Sequence, residues 1–104
     1  MKIVAVAACT MGIAHTYMAQ EAIELECKKR GIDVKVETQG GLGIENELEE
    51  DEIEEADFVL MAISIGIEME ERFEDKEDEG KILVVDPSEV IKRPAETIDK
   101  LISL

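Results

Sequence analysis

Cys9-Thr10-Met11-Gly12-Ile13-Ala14-His15-Thr16 is the stretch of this 104-residue chain whose side chains could do chemistry together. It follows an apolar run, Ile3 to Ala8, and precedes a helical pattern, so it joins a buried strand to a helix. At such a junction several backbone N–H groups can turn toward one point ahead of the helix N-terminus, and that nest binds an anion. The same field favours a thiolate at Cys9, which would then be nucleophile and phosphate carrier in one place. Gly12 lets the backbone approach a ligand closely, and Thr10 and Thr16 offer hydroxyl donors. His15, the single histidine, follows Cys9 by six residues and can point back at the loop's ligand as a donor or cation. The bland alternatives stay open on spacing alone. A cysteine ending a strand can be simply a small buried apolar residue, and a lone histidine is more often structural or exposed.

The other constellations carry less. Cys27 shares a helix face with Ala19 and Ile23 and reads as core. A zinc site from Cys9, His15 and Cys27 lacks a fourth ligand and the paired spacing of metal motifs, so no metal is expected. Gly40-Gly41-Leu42-Gly43 is a poor dinucleotide fingerprint and reads better as a loop beside the site, with Gln39 and Gly40 its nearest residues. Two acidic runs lack the Asp-x-Asp-x-Asp-Gly spacing of a calcium loop and read as solvated helix faces.

Elements of two periods must position Cys9. Ile3 to Ala8 is continuous and apolar, as in a strand buried on both faces; Phe58 to Ile63 repeats that pattern. Residues 16–30 place Ala19, Ile23 and Cys27 at helical spacing, with Lys28, Lys29 and Arg30 in the last turn and Gly31 as the stop. Ile32, Val34 and Val36 alternate with charged residues, which predicts a strand buried on one face at a sheet edge, followed by a loop from Thr38 to Gly43. Asn46 and Glu49 resemble an N-cap pair opening an acidic helix over 47–56. Residues 68–79 hold a helical turn or two, Ile82 to Val85 is a short strand, and Pro94 opens a last amphipathic helix. The plan is βαβαβαβα: a single α/β domain over residues 1–104, with a four-stranded parallel sheet in the order 2-1-3-4 and helices on both faces. In that order the crossovers from the first and third strands leave to opposite faces, and a crevice opens at Cys9.

Eleven Lys and Arg against 26 Asp and Glu leave a net charge of −15, which repels a nucleic-acid backbone and an anionic membrane alike. The deficit lies wholly after residue 44: nine acids and no base between Glu45 and Asp57, and eight acids against Arg72 and Lys76 between Glu68 and Glu79. The first 44 residues balance five acids with five bases, so an anionic substrate is expected near the N-terminal half. Two cysteines are too few for a secreted disulfide framework, and the N-terminal apolar run is too short to span a membrane or act as a signal peptide. A cytoplasmic location is expected.

The segment from Val4 to Ala19 resembles the active-site region of fructose-type IIB components of the bacterial phosphoenolpyruvate-dependent sugar phosphotransferase system. The resemblance continues through Lys35 to Gly40, Gly43 to Leu48, Ala56-Asp57 and Arg72-Phe73, and so spans essentially the whole chain. It implies that Cys9 takes a phosphoryl group from a phosphohistidine on a IIA partner and passes it to a sugar bound in a membrane-embedded IIC partner. It also implies that residues 10–16 form the phosphate-binding loop, and that a IIB component carrying no fused IIA or IIC meets the membrane only through IIC. Family loops read Cys-Pro-Thr-Gly where this chain has Cys9-Thr10-Met11-Gly12, so a stiffening proline is absent and a hydroxyl has moved by one position. Two rivals come from other classes. A low-molecular-weight cysteine phosphatase wants Cys-x5-Arg, and here the sixth position after Cys9 is His15. A non-catalytic anion sensor would keep working without the thiol.

Overall fold

The computed structural model describes residues 1–10, 13–41 and 43–104, and the sequence reading of Met11, Gly12 and Leu42 falls outside them. The backbone builds a five-stranded sheet in the order β3-β2-β1-β4-β5, from Lys2–Ala8 (β1), Asp33–Gly40 (β2), Gly43–Glu45 (β3), Phe58–Ile63 (β4) and Ile82–Val85 (β5). The four longer strands are parallel and stand in the expected order. The correction is the fifth: β3 pairs antiparallel with Thr38–Gly40, which makes the sheet mixed and puts β3, not β2, at that edge. Three residues beginning at a glycine carry no readable period, which is why a loop was expected there. Gly43 sits at a φ of 92°, a conformation open to glycine, and this is where the chain reverses.

The helices are Ile13–Lys29 (α1), Glu50–Glu55 (α2), Glu74–Asp78 (α3), Pro87–Lys92 (α4) and Pro94–Ile102 (α5), with a 3-10 turn at Glu70–Phe73 running into α3. Two helix starts differ from the sequence reading, and one helix is additional. α1 begins at Ile13, three residues early, so His15 and Thr16 lie in its first turn. α2 begins at Glu50, because Glu49 and Glu52 form the capping box while Asn46 takes a left-handed φ of 54° in the preceding turn. α4 is additional; its start is set by Asp86, whose carboxylate accepts from the Ser88 N–H at 2.9 Å, and by Pro87 in the first turn.

Alternate residues of β1 feed two cores. Ile3, Ala5 and Ala7 pack with Ala19, Ile23 and Cys27 of α1 and with Ile98 and Leu101 of α5. Val4 and Val6 pack on the other face with Leu48, Ile53 and Phe73. Helices therefore cover both faces, and β1 is buried from Ile3 to Ala8 because it lies between them. Arg30 ties α1 to α5 by bonding Glu26 at 2.8 Å, Asp99 at 2.9 Å and the Ala95 carbonyl at 3.0 Å. Lys76 is buried because its ammonium caps the C-terminal end of α2, donating to the Ala56 carbonyl at 2.6 Å and the Glu54 carbonyl at 3.2 Å.

Leu101 is fully buried between α5 and the sheet. Leu101→Ala is expected to lower the unfolding free energy by about 2–5 kcal/mol, read by urea denaturation. A loss below about 1 kcal/mol would show that this helix does not seal the first core.

Candidate functional site

Because β1, β4 and β5 run parallel, their carboxyl ends meet at one rim, and Cys9, Ser64 and Asp86 follow directly from them. The start of α1 opens at the same rim. Cys9 is 8% exposed, and its Sγ lies 2.9 Å from Nδ1 of the half-buried His15. The first turn of α1 thus folds the imidazole back over the thiol, as the six-residue spacing allows. Thr16, 3% exposed in that turn, has a buried hydroxyl with no hydrogen-bond partner among the described residues. A buried hydroxyl left unsatisfied beside helix N–H groups that have no intrahelical acceptors suits an arriving anion.

Asp86 completes the rim on the β5 side. Its carboxyl is held below the ordinary value by the hydroxyl and N–H of Ser88, and the charge of His15 acts in the same direction. Thr10 is exposed, and its N–H donates to Ser64 Oγ at 3.3 Å. Ala14 is exposed and lies one residue before His15. Cys27 stands apart from this group: it is fully buried, and burial pushes its thiol up to about 11, so it stays protonated. Among the described residues no three His, Cys, Asp or Glu side chains come together to hold a metal.

Gln39 and Gly40 are placed differently from the sequence reading, which put them on a loop. Both belong to β2, and Gln39 is buried. Its amide clamps the chain after β4, accepting from the Glu68 N–H at 2.8 Å and donating to the Glu68 carbonyl at 3.2 Å. The same amide nitrogen donates to Glu37 at 2.7 Å. Gly40 ends the strand, exposed, where β3 begins its pairing.

Beneath this clamp lies a feature the strand pattern hid. Past the exposed Asp33, the charged side of β2 is turned to partners within the fold: Lys35 reaches Glu52 of α2 at 2.8 Å, and Glu37 is 0% exposed. Arg72 grips Glu37 with both arms of its guanidinium, at 2.8 and 2.9 Å, and the Leu48 N–H donates to the same carboxylate at 2.8 Å. Burial is the largest influence on Glu37 and pushes its carboxyl up, but Arg72, Leu48 and Gln39 together hold it below its ordinary value. Arg72 also donates to the carbonyls of Met69 at 2.9 Å and Leu48 at 2.8 Å, so one cation fixes the segments before α2 and after β4. The available signal was Arg72 itself, one of two cations in a run of eight acids.

A family model described as "PTS system, Lactose/Cellobiose specific IIB subunit" matches residues 4–100. The chain is 48% identical over 101 residues to the "PTS system fructose-like EIIB component 2" of Escherichia coli K12, covering 96% of this chain and 91% of that one. It is 43% identical over 99 residues to the "PTS system fructose-specific EIIABC component" of Bacillus subtilis, covering 95% of this chain but 15% of that longer protein. Among solved structures, a domain of the fructose-specific IIABC component of Borrelia burgdorferi superposes with a TM-score of 0.87 at 41% identity, over 98% of this chain and 93% of that one.

Removing Arg72 would leave the Glu37 carboxylate buried and unpaired, a change that costs about 3–5 kcal/mol at neutral pH. Glu37 is depressed in the fold, so its contribution is present above the ordinary carboxyl value of 4.5 and is lost as pH falls through the lower folded value. In Arg72→Met burial is no longer outweighed and the carboxyl takes up a proton more readily. The stability gap between Arg72→Met and wild type should therefore shrink from pH 7 to pH 4 in parallel urea titrations. A gap independent of pH would contradict the assignment of Glu37 as a buried carboxylate held ionised by Arg72.

Proposed function

The chain belongs to the IIB family of the sugar phosphotransferase system, of the fructose type, and from that premise we propose that Cys9 is its phosphoryl carrier, charged by a IIA component and discharged to a fructose-like sugar held by a membrane IIC component. The observation that carries this reading is the 2.9 Å contact of Cys9 Sγ with His15 Nδ1, at the rim where β1 hands over to α1. An imidazole at that distance can take the thiol proton and leave a thiolate as nucleophile.

The chemistry follows in two halves. The Cys9 sulfur attacks the phosphorus of a phosphohistidine in line; the S–P bond forms as the N–P bond breaks, and the donor nitrogen keeps the bonding pair. A sugar hydroxyl oxygen then attacks the same phosphorus; the O–P bond forms, the sulfur leaves as thiolate, and the hydroxyl proton passes to a nearby base. Such transfers depend on positioning and charge stabilisation more than on covalent help from the protein. The Thr16 hydroxyl, lacking any other described partner, is suited to donate to a phosphoryl oxygen, together with the first N–H groups of α1, which an α-helix leaves without intrahelical acceptors. Residues 10–16 make up the phosphate-binding loop in this reading, with Met11, Gly12, Ile13 and Ala14 contributing backbone and His15 and Thr16 contributing side chains. Gln39 and Gly40 act from the neighbouring strand end, Gln39 by holding the far wall of the site.

The partners are supported by relatives whose names join B with A and C components, as in the Bacillus subtilis EIIABC protein and an Escherichia coli fructose-like EIIBC protein. Among the described residues no helix is long and apolar enough to cross a membrane, so contact with the bilayer would run through IIC.

With a phosphorylated fructose-type IIA component as donor and quench-flow as the readout, Cys9→Ser is expected to take no phosphoryl group. His15→Ala should be charged about 10²-fold more slowly, the lower end for a lost proton-transfer group. Wild-type rates in His15→Ala, with its circular dichroism unchanged, would remove His15 from the mechanism.

A further inference from the structure

We propose that Ser64 is a positioning residue for Cys9, and that the chain following β4 is the second wall of the phosphoryl site; the phosphoryl part of this rests on the carrier reading above. Ser64 holds the backbone on both sides of Cys9. Its N–H donates to the Ala8 carbonyl at 3.0 Å, which continues the β1–β4 pairing one step past Ala8 and Ile63. Its Oγ accepts from the Thr10 N–H at 3.3 Å. The two peptide planes that flank the Cys9 Cα are thus tied to a single residue, and those planes set the direction in which the Cys9 side chain leaves the backbone. That direction brings Sγ to 2.9 Å from His15 Nδ1.

The serine is itself held in place. Four residues on, the Gln39 amide clamps both backbone groups of Glu68, and the Arg72 guanidinium takes the Met69 carbonyl. Both side chains are anchored in turn on the buried Glu37 carboxylate. Rigid support therefore runs from the interior of the sheet to the wall, and from the wall to the peptides around the thiol. Ser64 is exposed, so its hydroxyl fills no core space, and truncating it removes the bond to Thr10 without opening a cavity.

The test compares Ser64→Ala and Ser64→Thr with wild type in two assays: charging of Cys9 by a phosphorylated fructose-type IIA component, and alkylation of Cys9 by iodoacetamide in the isolated protein, located by peptide mass. Loss of one positioning hydrogen bond is expected to lower the saturated charging rate about fivefold at unchanged KM for the donor. Alkylation should fall in the same direction, and the Thr10 amide resonance should move. Ser64→Thr, which keeps the hydroxyl, should restore all three. Wild-type charging and alkylation in Ser64→Ala would overturn the proposal. Should the wild type take no phosphoryl group while Ser64→Ala still alkylates slowly and Ser64→Thr recovers, the carrier reading falls and the positioning of Cys9 by Ser64 stands.

Discussion

A carboxylate cannot be carried into a protein interior unless it meets a cation and hydrogen-bond donors there, and Glu37 sets that requirement for this fold. It sits on the central part of β2 at zero exposure, and Arg72 must cross from the turn before α3 to reach it. The geometry is good enough to offset the desolvation: two guanidinium bonds, one backbone N–H and one amide converge on the two oxygens. Meeting that demand fixes much else. The path from β3 to α2 is held where the Leu48 N–H and carbonyl serve the pair, and the path out of β4 is held where Arg72 and Gln39 take the backbone of Glu68 and Met69. A purely apolar patch would bury area as well, but it would not specify these loop positions at hydrogen-bond distance.

The site at the sheet rim has two sides of different origin. One is local in sequence: a strand passes into α1 within a few residues, so Cys9, His15 and Thr16 are brought together by the helical turn itself. The other is remote, since Ser64 and the chain behind it reach the Cys9 backbone only because β4 lies beside β1 in the sheet. Phosphoryl transfer makes use of both, because its barrier is lowered chiefly by holding nucleophile and phosphorus in line and by meeting charge with fixed donors. Most acids of the two runs are exposed along α2, α3 and the turns around them, while residues 1–44 are balanced.

Much of the architecture was legible in the sequence because it rests on periodicity. The apolar runs at Ile3 to Ala8 and Phe58 to Ile63 read as doubly buried strands; the first is buried throughout and the second from Val59 to Ala62, and Ala19, Ile23 and Cys27 read as one core face of a helix and are all fully buried. The order of the four parallel strands followed from the right-handed crossover rule and the weaker pattern of β2. What failed was the assumption that alternating charge means solvent. Lys35 and Glu37 look like part of an exposed face, yet they meet Glu52 and Arg72 from elements up to 35 residues away. No local pattern encodes such a pairing. That Cys9 and His15 belong to one motif was legible from the sequence, but their direct contact was not, and Ser64 became visible only when the sheet register placed it beside Thr10.

The most direct measurement is peptide-resolved mass spectrometry at neutral pH of the protein after incubation with phosphoenolpyruvate, the general phosphotransferase proteins and a fructose-type IIA component. The account predicts one added phosphoryl group, located on the peptide that contains Cys9 and released on addition of a sugar acceptor with its membrane component. A phosphoryl group found on His15 or elsewhere, or none at all while the same donor charges another IIB component, would contradict it.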